Sequence, residues 1–380
     1  MNNAFDRRAF LLALGALGAF PKQALALSAS GEPHGTRVAA AWRGPAAGDP
    51  YFAGVLEADW QRRKLSIRYE VRLPTRPHGL LPEADGSLLV IGVRPGAWLM
   101  RCDEAGGVMR QVRLEDEGAT RVNGHAAVAP GGEVIYTTET DQRSGRGRIG
   151  VRDRHTLKKL DEWNSHGIDP HQLLLDPDGC LMVANGGVPR TPADKKYDLQ
   201  HMESSLVRLN GGSGALLRQW RLDDHRLSLR HLAWSESSAN GKPLLGVAMQ
   251  AEHDDAAQRA RAPILAVLEG DSLYVPTRAN DGVGYAGDIA PAFNGGFALS
   301  SNQAGLAQVW HPRMPDRLMP IVELQEAYAL TGWSGPQPGG GVLVATAPGL
   351  VRWHPSAKAA FLAWPRPMAL DNHWVLVGEA

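Results

Sequence analysis

Histidine recurs at one position of a repeated sequence pattern. In each copy a polar residue begins a short apolar segment, which runs to a glycine-containing turn and returns as a second apolar segment. Imidazole and carboxylate groups brought together are ligands for zinc, copper, iron or nickel. We therefore predict a transition-metal site, with iron, copper or zinc as the ion, from the polar residues that begin these segments: His78, His125, His171, His231, Asp288 and His373.

A second set of polar residues is predicted to lie beside the first. The returning segment of a hairpin brings its last side chains back to the edge from which the first segment started. We therefore expect a binding surface at this edge, formed by Arg94, Glu139, Asn185, Gln250 and Asn302. Arginines here, with Arg143, Arg146 and Arg190, would suit an anion or an acidic partner.

Two other interpretations of these residues stay open. Oxygen ligands suit calcium or magnesium, so Glu139, Asn185, Asp288 and Asn302 could instead form the hard-cation site of an enzyme. Alternatively, the polar residues could satisfy neighbouring backbone groups or hold channel water, without binding any ligand.

The spacing of the copies predicts the elements that position these residues. The starting positions 78, 125, 171, 231, 288 and 332 lie about 44 to 60 residues apart, the last of them at Gly332. This period is typical of four-stranded propeller blades, and each copy has room for two further strands after its hairpin. Six blades are therefore predicted.

The two ends of the chain supply a seventh blade. Residues 370–377 form an apolar segment with no hairpin partner after it, whereas the N-terminal segments TRVAAAWRG, YFAGVLEADW and LSIRYEVRL lack an inner strand. Pairing them would close the ring and remove exposed sheet edges. We predict an all-β, seven-bladed β-propeller over residues 36–380, closed by pairing of the N- and C-terminal strands. A two-sheet sandwich array and a β-solenoid are the alternatives.

Composition excludes several classes of function. The 40 basic and 40 acidic residues cancel and no basic block stands out, so nucleic acid is not an expected partner. No GxSxG, HExxH, P-loop or dinucleotide-binding motif occurs in a suitable setting. Hydrolase and nucleotide chemistry therefore gain no motif support.

Residues 1–27 resemble a twin-arginine export signal. Arg7 and Arg8 precede the modestly apolar run LALGALGAF, and Ala24-Leu25-Ala26 supplies small residues for cleavage. We therefore expect a monomeric periplasmic protein with no transmembrane segment after the signal. The two cysteines, Cys102 and Cys180, have no CxxC spacing and are expected to be unbridged thiols.

Several stretches together identify the chain as a member of a family of exported bacterial propellers, domain of unknown function 1513. They are RRAFLLALG, RPHGLLPEADGSLLV, NGHAAVAP, IDPHQLLLDPDG, MESSLVRL, RHLAW, GYAGDIA and LTGW. The resemblance implies a propeller fold. It also implies that the gene is encoded beside genes for imelysin-like proteins and di-haem oxidoreductase-like proteins. This gene neighbourhood suggests a role in iron acquisition and a periplasmic iron-uptake protein as partner.

These observations lead to one preferred function and one rival. The preferred hypothesis is a periplasmic binding protein, an accessory factor in iron or other metal acquisition, which binds a partner or metal-bearing ligand at a histidine-rich channel rim. The rival is a metal-dependent enzyme, a lactonase-like hydrolase or an oxidoreductase, that uses the same rim. Imidazoles with an ordinary pKa of about 6.5 should release a metal as the pH falls through that value.

Overall fold

Alternating apolar and polar residues form short antiparallel strands throughout the chain. The computed structural model describes residues 35–235, 243–323, 326–334 and 340–379. The predicted signal, residues 1–27, lies outside the described residues. No helix in the described ranges is long and apolar enough to cross a membrane.

The strands form seven four-stranded antiparallel sheets, which confirms the predicted propeller. The first three strands belong to the closing blade: β1 (Gly35–Arg43), β2 (Tyr51–Asp59) and β3 (Lys64–Arg72). Blade 1 contains β4 (Pro77–Pro82), β5 (Leu88–Gly92), β6 (Trp98–Cys102) and β7 (Val108–Arg113). Blade 2 contains β8 (Thr120–Val128), β9 (Val134–Asp141), β10 (Arg146–Asp153) and β11 (Lys159–Ile168).

The middle of the chain continues this order with only short helical interruptions. Blade 3 contains β12 (Pro170–Leu175), β13 (Leu181–Asn185), β14 (Ser205–Leu209) and β15 (Leu216–Trp220). Blade 4 contains β16 (Leu227–Trp234), β17 (Leu245–Ala251), β18 (Leu265–Glu269) and β19 (Ser272–Tyr274). The short helix α1 (Ala256–Arg261) lies between β17 and β18, and 3-10 turns occur at Leu114–Glu117, Leu199–His201 and Phe293–Gly295.

The last strands complete the ring. Blade 5 contains β20 (Asp288–Ala292), β21 (Gly296–Ser301), β22 (Leu306–His311) and β23 (Met314–Glu323). Blade 6 contains β24 (Ala327–Trp333), β25 (Gly341–Thr346), β26 (Gly349–Trp353) and β27 (Ala360–Ala363). The final strand, β28 (Ala369–Glu379), pairs with β1, so strands from both ends share the closing blade as predicted.

The hydrophobic core lies between neighbouring blades. One cluster joins the closing blade to blade 6 and includes Trp42, Trp333 and Trp374, and a second joins the closing blade to blade 1 around Trp98. Burial of such side chains contributes roughly 1.5–3 kcal/mol each. Neither Cys102 nor Cys180 is bridged. The inner strands β4, β8, β12, β16, β20, β24 and β28 contact one another in turn around the ring.

Candidate metal centre

Six of the seven inner strands are interrupted by a bulge, and five of these bulges hold a predicted histidine. The register of each inner strand against its neighbour shifts within Pro77–Leu80, Val122–Ala126, Pro170–Leu173, Leu229–Leu232 and Leu370–Trp374. A bulge bends its strand and re-aims the side chains within it. The bulges therefore turn five histidines, each from a different blade, toward the axis of the ring.

The histidines do not all begin their strands. His78 and His171 are second residues of β4 and β12, as the sequence pattern indicated. His125, His231 and His373 instead lie in the interior of β8, β16 and β28, because those strands begin several residues earlier. What the five share is the bulge.

The five imidazoles meet in one buried group. In nine of the ten ring pairs the centroids lie 4.3 to 6.1 Å apart. Between 2 and 8 % of each residue is exposed. The histidines of the predicted channel rim are therefore buried, because the bulges carry the rings inward until they pack against one another.

Four of the five form a set that could hold a metal ion, which we call the tetrad: His78, His125, His231 and His373. One nitrogen from each lies within 4.8 Å of the others. Several buried nitrogens of the tetrad have no hydrogen-bond partner, namely both of His78, Nε2 of His125, Nε2 of His373 and Nδ1 of His231. A buried unpartnered nitrogen costs free energy that coordination would offset. The tetrad therefore fits a metal that prefers imidazole.

Asp288 lies behind the tetrad rather than in it. Its Oδ1 is 3.3 Å from Nδ1 of His373, and its Oδ2 accepts a hydrogen bond from the backbone N–H of Leu330 at 2.8 Å. A carboxylate on one nitrogen of a histidine fixes the ring and directs the other nitrogen toward a metal. Asp288 thus orients His373, whose Nε2 is the nitrogen without a partner. Its strand β20 pairs with β21 without a register shift.

His171 belongs to the group but lies outside the tetrad. Its Nε2 is 2.8 Å from Nε2 of His231, and its Nδ1 is 3.2 Å from Nη1 of Arg94. Because arginine only donates, Nδ1 of His171 is the acceptor, so the neutral ring carries its proton on Nε2 and donates it to His231. If a metal ion binds Nε2 of His231, the hydrogen bond from His171 to that nitrogen must therefore break.

Burial keeps four of the five imidazoles neutral. It lowers the pKa of His78, His125, His171 and His231 well below the ordinary 6.5, and nearby positive charge adds to the effect. Arg94 contributes this charge at all four. Protons should therefore compete with a metal ion for these nitrogens only at a pH below the value of about 6.5 that the sequence suggested.

The other predicted binding residues are dispersed. Arg94 contacts the histidines, whereas Glu139 is fully buried between Arg152 and Lys159 of its own blade, at 2.8 and 2.6 Å. Asn185 donates to the backbone carbonyl of Ser165 at 2.8 Å. Gln250 donates to the carbonyl of Ala286 at 3.1 Å, and Oδ1 of Asn302 is buried without a partner. The charge of Glu139 is thus balanced by Arg152 and Lys159, so its oxygens are not free to bind a metal ion.

Sequence reasoning missed the carboxylate next to the histidines. Asp169, two residues before His171, is 5 % exposed and has a positive φ of 52°. It is surrounded by Arg94, Arg190 and Arg230. The available signal was the Asp-Pro-His order, since aspartate tolerates the left-handed region better than most residues.

Comparison with known proteins gives a family and a fold. The profile of the family described as "Protein of unknown function (DUF1513)" matches residues 71–377. A comparison with curated proteins finds no match. Hydrazine synthase of Kuenenia stuttgartiensis superposes with a TM-score of 0.56 at 13% identity, over 85% of this chain and 94% of that chain. Virginiamycin B lyase from Staphylococcus aureus, solved with quinupristin, gives 0.52 at 11% identity, over 81% and 92%. Such low identities show the propeller fold alone.

Proposed function

We propose that this chain, which belongs to the DUF1513 family of proteins of unknown function, is a β-propeller that binds a transition-metal ion at the tetrad. The observation that carries the proposal is the set of four buried imidazoles with nitrogens within 4.8 Å of one another. Imidazole suits zinc, copper, iron and nickel, whereas calcium and magnesium take oxygen. The donor set therefore favours the first group.

The proposed cellular role is metal acquisition in the periplasm. The signal predicted for residues 1–27 supports export, and the setting implied by the family resemblance supports an accessory role in uptake of iron or another metal, with a periplasmic uptake protein as partner. A binding role fits a scaffold whose tetrad comes from four blades of one closed ring, because such a site is held without any moving part.

The enzyme alternative with an oxygen-ligated ion has weaker support. Glu139 is paired with Arg152 and Lys159, and Asp288 is bonded to the backbone of blade 6 and to His373. Among the described residues, the tetrad is the group of histidine, cysteine and carboxylate side chains brought close enough to share an ion. A catalytic role would therefore have to use a histidine-bound metal.

Metal analysis of the protein tests this proposal. Elemental analysis of protein purified from the periplasmic fraction should find about one transition-metal ion per chain. Calorimetric titration of the stripped protein at pH 7.5 with zinc, copper and iron should give one site. We expect His78→Ala to weaken binding by roughly 10-fold or more, since loss of a ligand should cost at least as much as the loss of an outer partner.

Two further variants make the test specific. His311→Ala is the matched control, because His311 is buried with an unpartnered Nε2 but stacks on Phe293 away from the tetrad. It should leave metal affinity unchanged. His171→Ala should reduce affinity less than His78→Ala, since all four tetrad ligands remain. Equal affinity in wild type, His78→Ala and His311→Ala, or no binding at all, would refute the proposal.

A further inference from the structure

Three arginines surround one buried carboxylate beside the histidines. Asp169 accepts from Nη1 of Arg94 at 3.1 Å and from Nη1 of Arg230 at 2.8 Å, and Nε of Arg190 lies 3.6 Å away. The exposed fractions of the three arginine side chains are 19, 1 and 13 % respectively, and that of Asp169 is 3 %. We call Arg94, Arg190 and Arg230 the arginine cluster.

Three carboxylates, one of them Asp169, lie near the arginine cluster. Asp194 contacts Nε of Arg94 at 3.3 Å and Nη1 of Arg190 at 3.1 Å. Glu252 lies 3.9 Å from Arg230, but both of its oxygens are held by Nζ of Lys196, at 2.6 and 2.7 Å. The three arginines thus face three carboxylates, and Lys196, whose side chain is 43 % exposed, adds a fourth cation. The net positive charge of this group favours an anionic ligand.

Arg230 has a donor edge with no hydrogen-bond partner. Its Nε and Nη2 are buried and unpartnered, although its Nη1 is bonded to Asp169. These two nitrogens form one edge of the guanidinium, whose parallel N–H groups match the two oxygens of a carboxylate. A buried charged group with unmet donors is costly, so this edge is suited to a ligand.

The same molecule shows what fills such an edge elsewhere. Nε and Nη2 of Arg76 donate to the two oxygens of Asp371 at 2.8 and 3.0 Å. Nε and Nη2 of Arg101 donate to those of Glu83 at 2.5 and 3.2 Å. In both cases the occupant is a carboxylate. On the same edge of Arg230, Oε1 of Glu252 lies 3.9 Å from Nη2, beyond hydrogen-bond distance.

A cavity reaches the arginine cluster from outside. Its volume is about 290 Å³, and its lining includes Arg94, Asp169 and Arg190 together with Asn123, Thr140 and Arg143. Nε of Arg190 is also buried without a hydrogen bond. Arg230 does not itself line the cavity, but its Nη1 donates to Asp169, which does. The space suits a ligand of a few non-hydrogen atoms.

We infer that the arginine cluster binds a small carboxylate ligand, with Nε of Arg190 on the cavity wall and the Nε–Nη2 edge of Arg230 as its donors. This site is separate from the tetrad and requires no metal. Arg94 links the two, because its Nη1 contacts both Asp169 and Nδ1 of His171. The arginine cluster and the tetrad are thus connected through Arg94 and His171.

Titration of the metal-free full-length protein with malonate tests the inference. Malonate should bind with a measurable heat, and its uncharged analogue malonamide should not. Arg230→Lys keeps the charge but removes the planar edge, so we expect its malonate affinity to fall by roughly 10-fold or more. Arg101→Lys is the matched control, because that buried arginine has its edge already filled by Glu83. It should bind malonate as wild type does.

Two further measurements keep the test decisive. If Arg230→Lys does not fold, as judged by circular dichroism, Arg190→Lys should still weaken malonate binding, since its side chain lies on the cavity wall. Crystals soaked in malonate should show the carboxylate on Arg230. Malonate bound elsewhere, equal affinity in wild type and both cluster variants, or binding of phosphate without malonate would overturn the inference.

Discussion

At the scale of single residues, the tetrad is costly in the absence of a ligand. His78 has two buried nitrogens without partners, and His125, His231 and His373 have one each. Each such group costs about 1–3 kcal/mol. The rings of His78, His125 and His231 also gain little from charge–charge attraction, because burial keeps them neutral. A metal ion would satisfy several of these nitrogens at once, so ion binding and folding should be coupled.

The depressed pKa values of four histidines predict an acid-sensitive fold. Below pH 6.5 these four histidines bind protons in the unfolded chain but stay neutral in the folded protein. The free energy of unfolding therefore falls as the pH falls. Each histidine protonated only on unfolding contributes about 1.4 kcal/mol per pH unit, and four contribute about 5 kcal/mol per pH unit once the unfolded state is fully protonated. Urea melts of the metal-free protein between pH 7.5 and 5 measure this slope.

A variant separates the histidines from other titrating groups. His125→Gln removes one of the four and should reduce the slope by about 1.4 kcal/mol per pH unit. A free energy of unfolding that is unchanged between pH 7 and 5.5 would contradict the buried neutral state of these rings.

The sequence predicted the residues of the tetrad but not their surroundings. A histidine repeated at one position of five of the seven copies is a strong pattern, and all four tetrad residues come from it. Asp169, Arg190 and Arg230 had no comparable repeat, because their contact depends on three different loops and strands meeting at the axis. Glu139 followed the repeat yet pairs within its own blade, since hairpin periodicity does not reveal which charges lie beside it.

At the scale of elements, the bulges decide where the histidines point. Inner strands β4 and β8 approach so closely that a Cβ on Gly79 would lie 2.0 Å from the carbonyl oxygen of Gly124. Gly124 has a φ of 110°, and a Cβ there would lie 2.4 Å from Cδ2 of His78. Glycine at these two positions therefore lets His78 and His125 come together.

Replacing Gly124 tests this role of the bulge. Gly124→Ala should destabilise the fold by about 1–3 kcal/mol through backbone strain, and should also displace His78 and weaken metal binding. Gly118→Ala is the matched control, because Gly118 has a similar φ of 104° but no neighbour within 4 Å of an added Cβ. It should lose stability without losing metal affinity. Thermal melts and zinc titrations of both variants compare the two effects, and equal zinc affinity in the two would contradict the role given to Gly124.

The bulges were not predictable from the hydrophobic pattern. Alternation of apolar and polar residues indicates a strand and its two faces, and it correctly located the hairpins of the blades. A bulge shifts the register by only one or two residues within a continuous strand, which leaves the composition unchanged. His125 and His231 were consequently placed at strand starts, although they lie inside β8 and β16.

At the scale of the whole molecule, the tetrad depends on closure of the ring. Its four members come from blades 1, 2 and 4 and from the closing blade. The closing blade is held by β28, which pairs with β1 along most of its length and places Trp374 in the core beside blade 6. One strand thus supplies both a tetrad histidine and the last inner strand of the ring.

β28 contributes the ligand His373 and the last inner strand of the ring. Comparing a protein that lacks residues 371–380 with the point variant His373→Ala should separate these two contributions. The truncation takes away His373, Trp374 and the pairing partner of β1, and so leaves the β1 edge unpaired. Exposed edges promote association, so the truncated protein should melt at lower temperature and form oligomers as its concentration rises. His373→Ala removes the imidazole but keeps the strand, and should remain monomeric while it loses metal affinity. Light scattering and thermal melts distinguish the two proteins. A truncated protein that stays monomeric with unchanged melting would show that the ring does not need β28. The other three tetrad histidines would then be held together by the six remaining inner strands.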